Sequence, residues 1–153
     1  MAESFRGSCH CGAVRFSYEG EAITRGLRCN CSICSMTSYL HLIVPKERFR
    51  LLEGDDDLTT YTFNTGVAQH HFCRHCGSAL WAWDPRWPDL VHPAASAIDT
   101  DLPVPPERSH MMLGSKASWV PVTAGPDDRH FDEYPDESLA EWHRRLRLEH
   151  SDR

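Results

Sequence analysis

Seven cysteines fall into three tight clusters, and no cysteine lies outside them. The clusters are Cys9-His10-Cys11, Cys29-Asn30-Cys31-Ser32-Ile33-Cys34 and Cys73-Arg74-His75-Cys76. Sulfurs one or two residues apart on a short turn can converge on one ion at about 2.3 Å each. Four thiolates close a tetrahedral site, whereas three leave one position for water or an incoming ligand. Seven sulfurs therefore divide naturally into a closed set and an open set.

Cys9/Cys11 and Cys73/Cys76 each sit in a turn expected between two strands, and two such knuckles packed together make a closed tetrathiolate site. Cys29, Cys31 and Cys34 remain as a triad. On a zinc ion that triad carries one net negative charge, which suits it to holding a soft thiolate and lowering its pKa. Disulfides fit poorly with an odd count and a reducing compartment. A thioredoxin-like role for Cys73/Cys76 would need a βαβ unit, and none is legible. His10, His75 or His41 could replace one sulfur, although an all-sulfur shell is the simpler expectation. Three free cysteines beside one structural zinc is a further alternative.

The elements that must position these sulfurs are mostly strands. Val14, Phe16 and Tyr18 alternate with polar residues, the period of a half-buried strand. Leu27 leads into the second cluster, and Ser35 to Ser38 read as a turn or short helix. Leu40, Leu42 and Val44 alternate again and stop at Pro45. Arg50–Glu53, Leu58–Phe63, Val67–Phe72 and Ala79–Trp83 read as further strands, with Asn64-Thr65-Gly66 as a hairpin turn. Gly77 is expected to supply a positive φ in the third cluster's turn. Prolines break up residues 84–106, leaving room for a strand near Ala94–Ile98. Ser109–Leu113 is the next expected strand, and residues 115–128 read as irregular. Ser138-Leu139-Ala140-Glu141 has the form of a capping box, which predicts a C-terminal helix.

A chain of 153 residues with 41% hydrophobic content is long enough for one well-buried core. The net charge of -6 argues against nucleic-acid or anionic-membrane binding. No apolar run is long enough to span a bilayer, and the first residues lack the apolar segment of a secretory signal. A cytoplasmic location is the corresponding expectation.

Gly7-Ser8-Cys9-His10-Cys11-Gly12-Ala13-Val14, the Cys29–Cys34 cluster and Phe72-Cys73-Arg74-His75-Cys76-Gly77-Ser78 together resemble the glutathione-dependent formaldehyde-activating family, whose domain is shared with centromere protein V. Tyr61–Gly66 and His110–Trp119 resemble the same family, and the match spans roughly residues 5–135. The resemblance implies a mainly β, Mss4-like antiparallel fold built around zinc, with short helical segments. Residues 1–135 would form the zinc-binding domain and 136–153 a C-terminal helix and tail. It implies two Zn²⁺ per chain: a structural ion on Cys9, Cys11, Cys73 and Cys76, and a catalytic ion on Cys29, Cys31 and Cys34. It implies a carbon–sulfur lyase activity that joins glutathione to formaldehyde as S-(hydroxymethyl)glutathione. His41, His70 and His71 are candidate proton donors, and Arg28, Arg74 and Lys116 candidate partners for glutathione's carboxylates. Two rivals are a non-catalytic, zinc-stabilised interaction module that would expose tryptophans such as Trp81, Trp83 and Trp87, and a zinc store or redox sensor releasing its ion from Cys29, Cys31 and Cys34.

Overall fold

The computed structural model describes residues 3–20, 27–62 and 66–147. The first sheet is built by β1 (Glu3–Ser8), β2 (Arg15–Gly20) and β6 (Phe49–Glu53), with β2 central and both pairings antiparallel. The alternation read from the sequence sets its faces: Phe16 and Tyr18 are fully buried while Arg15 and Glu19 are exposed. Tyr18 stacks on Phe5 with ring centroids 4.9 Å apart.

The second sheet is antiparallel throughout and has the order β5-β10-β9-β8-β7. Its strands are β5 (Val44–Pro45), β7 (Leu58–Tyr61), β8 (Gln69–Cys73), β9 (Ala79–Trp83) and β10 (Leu90–Pro93). The third sheet contains β3 (Leu27–Cys29), β4 (Leu40–His41), β11 (Arg108–Met111) and β12 (Asp128–His130) in the order β12-β11-β3-β4. Here β11 runs parallel to both β3 and β12, so residues distant in sequence meet beside Cys29. One apolar core includes Cys9, Cys29, Cys34 and Cys73 together with Val14, Phe16, Leu80, Trp81 and Val91. No helix among the described residues is long and apolar enough to cross a membrane.

The short helix α1 (Ser32–Thr37) forms at the second cluster, and α2 (Leu139–Leu146) is the expected C-terminal helix. Its capping box is complete. The Ser138 amide donates to Glu141 Oε2 at 2.6 Å and the Glu141 amide donates to Ser138 Oγ at 3.2 Å. Trp142 is fully buried, and Arg145 bridges Glu107 and Glu137 at 2.7 and 2.6 Å, fastening the helix to the body.

Several elements differ from expectation. The run Leu40–Val44 is not one strand: it crosses from the third sheet to the second, and the Leu42 amide donates to the Pro93 carbonyl at 2.9 Å on the way. The strand expected at Ala94–Ile98 lies earlier, at Leu90–Pro93, because Val91 and Pro93 are the inward residues, and Ala95–Ala97 form a tight 3-10 turn. The strand begun at Ser109 stops at Met111, since Met112 takes a left-handed φ of 57°. β12 has no apolar alternation; it pairs with β11 through its backbone and through Asp128, which meets Arg108. The Asn64–Thr65 part of the expected hairpin turn and the tail beyond residue 147 lie outside the described residues.

Gly54 has φ +90° and approaches the first cysteine turn closely. A Cβ there would sit 2.3 Å from the Ala13 carbonyl oxygen and 2.9 Å from Val14 Cα. Both the backbone angle and the contact forbid a side chain. Gly54→Ala is expected to lower unfolding free energy by more than about 2 kcal/mol. Urea denaturation followed by circular dichroism would show this, and an unchanged midpoint would mean that the Ala13–Val14 turn yields.

Candidate metal centres

The two knuckles of the first group are built alike. Cys9 follows β1; its amide donates to the Val14 carbonyl and its carbonyl accepts from Gly12, both at 3.1 Å. Cys73 ends β8; its amide donates to the Ser78 carbonyl at 3.0 Å and its carbonyl accepts from Gly77 at 2.9 Å. Gly12 and Gly77 close the turns at φ +80° and +77°, as expected for Gly77. The four sulfurs lie within 4.8 Å of one another, with Cys9–Cys11 at 3.6 Å and Cys11–Cys73 at 3.7 Å. A disulfide would bring two of them to about 2.05 Å. Tetrahedral ligation at about 2.3 Å places sulfurs about 3.8 Å apart, so this donor set fits a metal ion without rearrangement.

Hydrogen bonds to these sulfurs favour the thiolate form. The Val14 amide donates to Cys9 Sγ at 3.3 Å and the His75 amide to Cys73 Sγ at 3.4 Å. The Ser78 hydroxyl, 3.2 Å from Cys76 Sγ, is the main cause that pulls the Cys76 thiol down to about 5. Cys11 moves the other way, to about 12: the Ala13 amide favours its thiolate, but the sulfurs of Cys9, Cys73 and Cys76 outweigh it. His75 turns away from the sulfurs, with Nε2 2.6 Å from Asp57 Oδ1, and His10 is exposed.

The second group is assembled from β3, α1 and β4. Cys29 ends β3, Cys31 is the residue before α1, and Cys34 is the buried residue of that helix. His41, paired across the strands with Leu27, brings Nε2 to 3.1 Å from Cys34 Sγ. The ligand atoms of Cys29, Cys34 and His41 lie within 4.8 Å of one another. Cys31 hydrogen-bonds with both other thiols, Cys29 first, and this pulls it down to about 2. Cys29 is raised to about 11, with Cys31 the largest cause, and Cys34 is raised further; the Cys31 sulfur is not among the converging ligand atoms. His41, weighed from sequence as an alternative ligand, thus touches the cluster directly. Burial holds it down to about 3, and it packs on Tyr39 at 4.4 Å.

The other two histidines are placed differently. His70 is half-buried with the Cys31 thiolate near enough to influence it. His71 stacks on Trp81 and lies 3.0 Å from the Thr60 hydroxyl. Of the cations considered from sequence, Arg74 is spent on the Asp56 carbonyl at 3.0 Å, and Lys116 on the Ala117 and Val120 carbonyls at 3.1 and 3.2 Å. Arg28 alone of the three lines a cavity of about 350 Å³ that Cys29 and Cys34 also line. Arg108, His110 and Trp119 line it too. Sequence reasoning missed Arg108; only the parallel pairing of β11 with β3 brings it there. The peptide that carries the cysteines is pegged to the same strand: the Asn30 amide and side chain donate to the Met111 carbonyl at 3.2 and 3.1 Å.

Residues 4–114 match the family described as glutathione-dependent formaldehyde-activating enzyme. A protein of Halomonas elongata named "Putative glutathione-dependent formaldehyde-activating enzyme" is 48% identical over 151 residues, covering 94% of this chain and 96% of that one. The crystal structure of a Rhodobacter sphaeroides protein superposes with a TM-score of 0.55 at 28% identity, covering 64% of this chain and 91% of that chain.

The first group ties two sheets together, so its loss should be felt by the whole fold. Cys73→Ser is expected to lose one equivalent of bound metal and the cooperative thermal transition together. Metal analysis and a circular dichroism melt would test this; metal loss with an unchanged melt would make the group dispensable for folding.

Proposed function

The chain belongs to the glutathione-dependent formaldehyde-activating family, and from that premise we propose that it is a zinc enzyme joining glutathione to formaldehyde as S-(hydroxymethyl)glutathione, a carbon–sulfur lyase-type reaction. Cys9, Cys11, Cys73 and Cys76 would hold a structural zinc, and Cys29, Cys31 and Cys34 the catalytic one. The observation that carries this reading is that Cys29 and Cys34, whose sulfurs converge, line a cavity of ligand size, with Cys31 on the short segment between them. Bound to that cluster, zinc would lower the pKa of an incoming thiol and keep it nucleophilic at neutral pH.

The reaction balances without a redox partner: sulfur adds to the carbonyl carbon, and a proton ends on the new hydroxyl. The chain's part is to fix and shield the sulfurs. His41, engaged with Cys34 and absent from the cavity walls, positions that cysteine and does not deliver the proton. His71 is engaged with Thr60 and Trp81, and neither it nor His70 is among the cavity's lining residues, so the proton is assigned to none of the three. The interaction-module reading draws less support. Trp81 is a core residue, Trp83 is half-buried beneath Lys46, and only Trp87 of the three is exposed.

Glutathione added to the cobalt-substituted protein should give a saturable thiolate-to-metal absorption band. Cys31→Ser should abolish that band, remove one equivalent of metal and cut turnover by at least about ten-fold. Unchanged turnover and metal content in Cys31→Ser would sink the proposal.

A further inference from the structure

The cavity beside Cys29 and Cys34 carries two guanidinium groups, and among the described residues only one of them has a carboxylate partner. Arg108 is held by Asp128, with Nε 2.8 Å from Oδ1 and a second contact of 3.2 Å to Oδ2, and the Asp128 carboxylate is wholly buried. His110 lies against the same carboxylate at 3.4 Å. Arg108 and His110, which line the cavity, are thus backed by the Asp128 carboxylate, which neutralises the guanidinium. Arg28 is exposed on β3, next in the chain to Cys29, and no carboxylate among the described residues pairs with it.

An uncompensated cation there has a physical use. The protein is acidic at -6 overall, and three thiolates around a divalent ion make the centre itself anionic. A thiol that also bears a carboxylate would be repelled from such a site unless a cation faced it. Arginine suits that task, since its fork matches a carboxylate with two parallel hydrogen bonds. Part of the lining is apolar: Trp119, Val120 and Pro121 contribute to it, on a loop tied down by Lys116. Trp119 is 76% exposed, leaving a flat face for the body of a ligand.

We propose that this cavity selects thiols carrying one carboxylate, that Arg28 is the carboxylate's partner, and that a second carboxylate on the substrate is not required. The proposal rests on the reading that Cys29, Cys31 and Cys34 form the thiol-binding centre. It makes the accepted class wider than glutathione and excludes uncharged thiols. Arg28 acts here in recognition, apart from the bond-forming step.

The test compares N-acetylcysteine with its amide on the fully metal-loaded, cobalt-substituted protein, alongside glutathione. Affinities are read from the thiolate-to-metal band. Wild type should bind the acid about ten-fold or more tightly than the amide. Arg28→Gln should bring that ratio close to one with metal content unchanged, and Arg28→Lys should restore part of it. Comparing the ratio between variants cancels the difference in thiol acidity between the two ligands. Discrimination that survives in Arg28→Gln, or is absent from wild type while glutathione still binds, overturns the role of Arg28 alone. If no thiol reaches the metal of the wild-type protein, the thiol-binding reading fails and this proposal fails with it.

Discussion

The constraint on which the structure depends is the meeting of two cysteine turns that lie 62 residues apart in the chain, seen in the 3.7 Å approach of Cys11 and Cys73. One turn continues β1 into β2 and the other continues β8 into β9, so their junction joins the first sheet to the second. A single 3-10 turn braces both. Gly54 lies against Ala13 and Val14 of the first knuckle. Three residues on, the Asp57 carbonyl accepts from the Arg74 amide at 2.8 Å, and the Asp57 carboxylate meets His75 at 2.6 Å, both in the second knuckle. Closing so long a loop is costly in chain entropy, and a metal ion offsets that cost only where its ligands are already aligned. The repeated Cys-to-Gly turn geometry supplies the alignment.

The second group depends on the first through the core they share. Cys9, Cys73, Cys29 and Cys34 belong to one continuous apolar cluster with Phe16, Leu80 and Trp81. The third sheet brings the rest, and its pairings are long-range. Asn30 is bonded to Met111 through backbone and side chain, and Ser115 Oγ donates to the Asn30 carbonyl at 3.0 Å. The peptide between Cys29 and Cys31 is thereby fixed from the far side of the chain. A ligand set on so short a segment needs such outer contacts to hold its angles.

Much of this was legible in the sequence, and the failures have a common cause. Spacing of one and two residues identifies the sulfur turns because ligation is a local geometric demand. Alternation placed Phe16 and Tyr18 inward, and Ser138 with Glu141 marked the start of α2, since pleat and cap are also local. The misplaced strand at Ala94–Ile98 and the unseen β12 are different: their positions follow from pairing with β9 and β11, which no local pattern encodes. The cavity was hidden for the same reason. Arg108 reaches it only through the parallel pairing of β11 with β3, and His41 reaches Cys34 only because the chain changes sheets after residue 41.

Charge separates what the two groups can do. Four thiolates on a divalent ion carry two net negative charges, a burden tolerable where water and amides solvate the sulfurs; Cys11 is exposed, and Val14 and His75 donate to the others. Such a site is saturated and has no vacancy for a substrate. The second group is deeper, with Cys29 and Cys34 buried and the His41 ring sealed behind them. Three sulfurs would carry less charge on an ion held there as proposed, and Cys29 and Cys34 line a cavity. An acidic chain can draw an anion to that opening only through local field, because its overall potential is repulsive. Arg108 is paired internally, whereas Arg28 has no carboxylate partner among the described residues, which places that field next to the sulfur that ends β3.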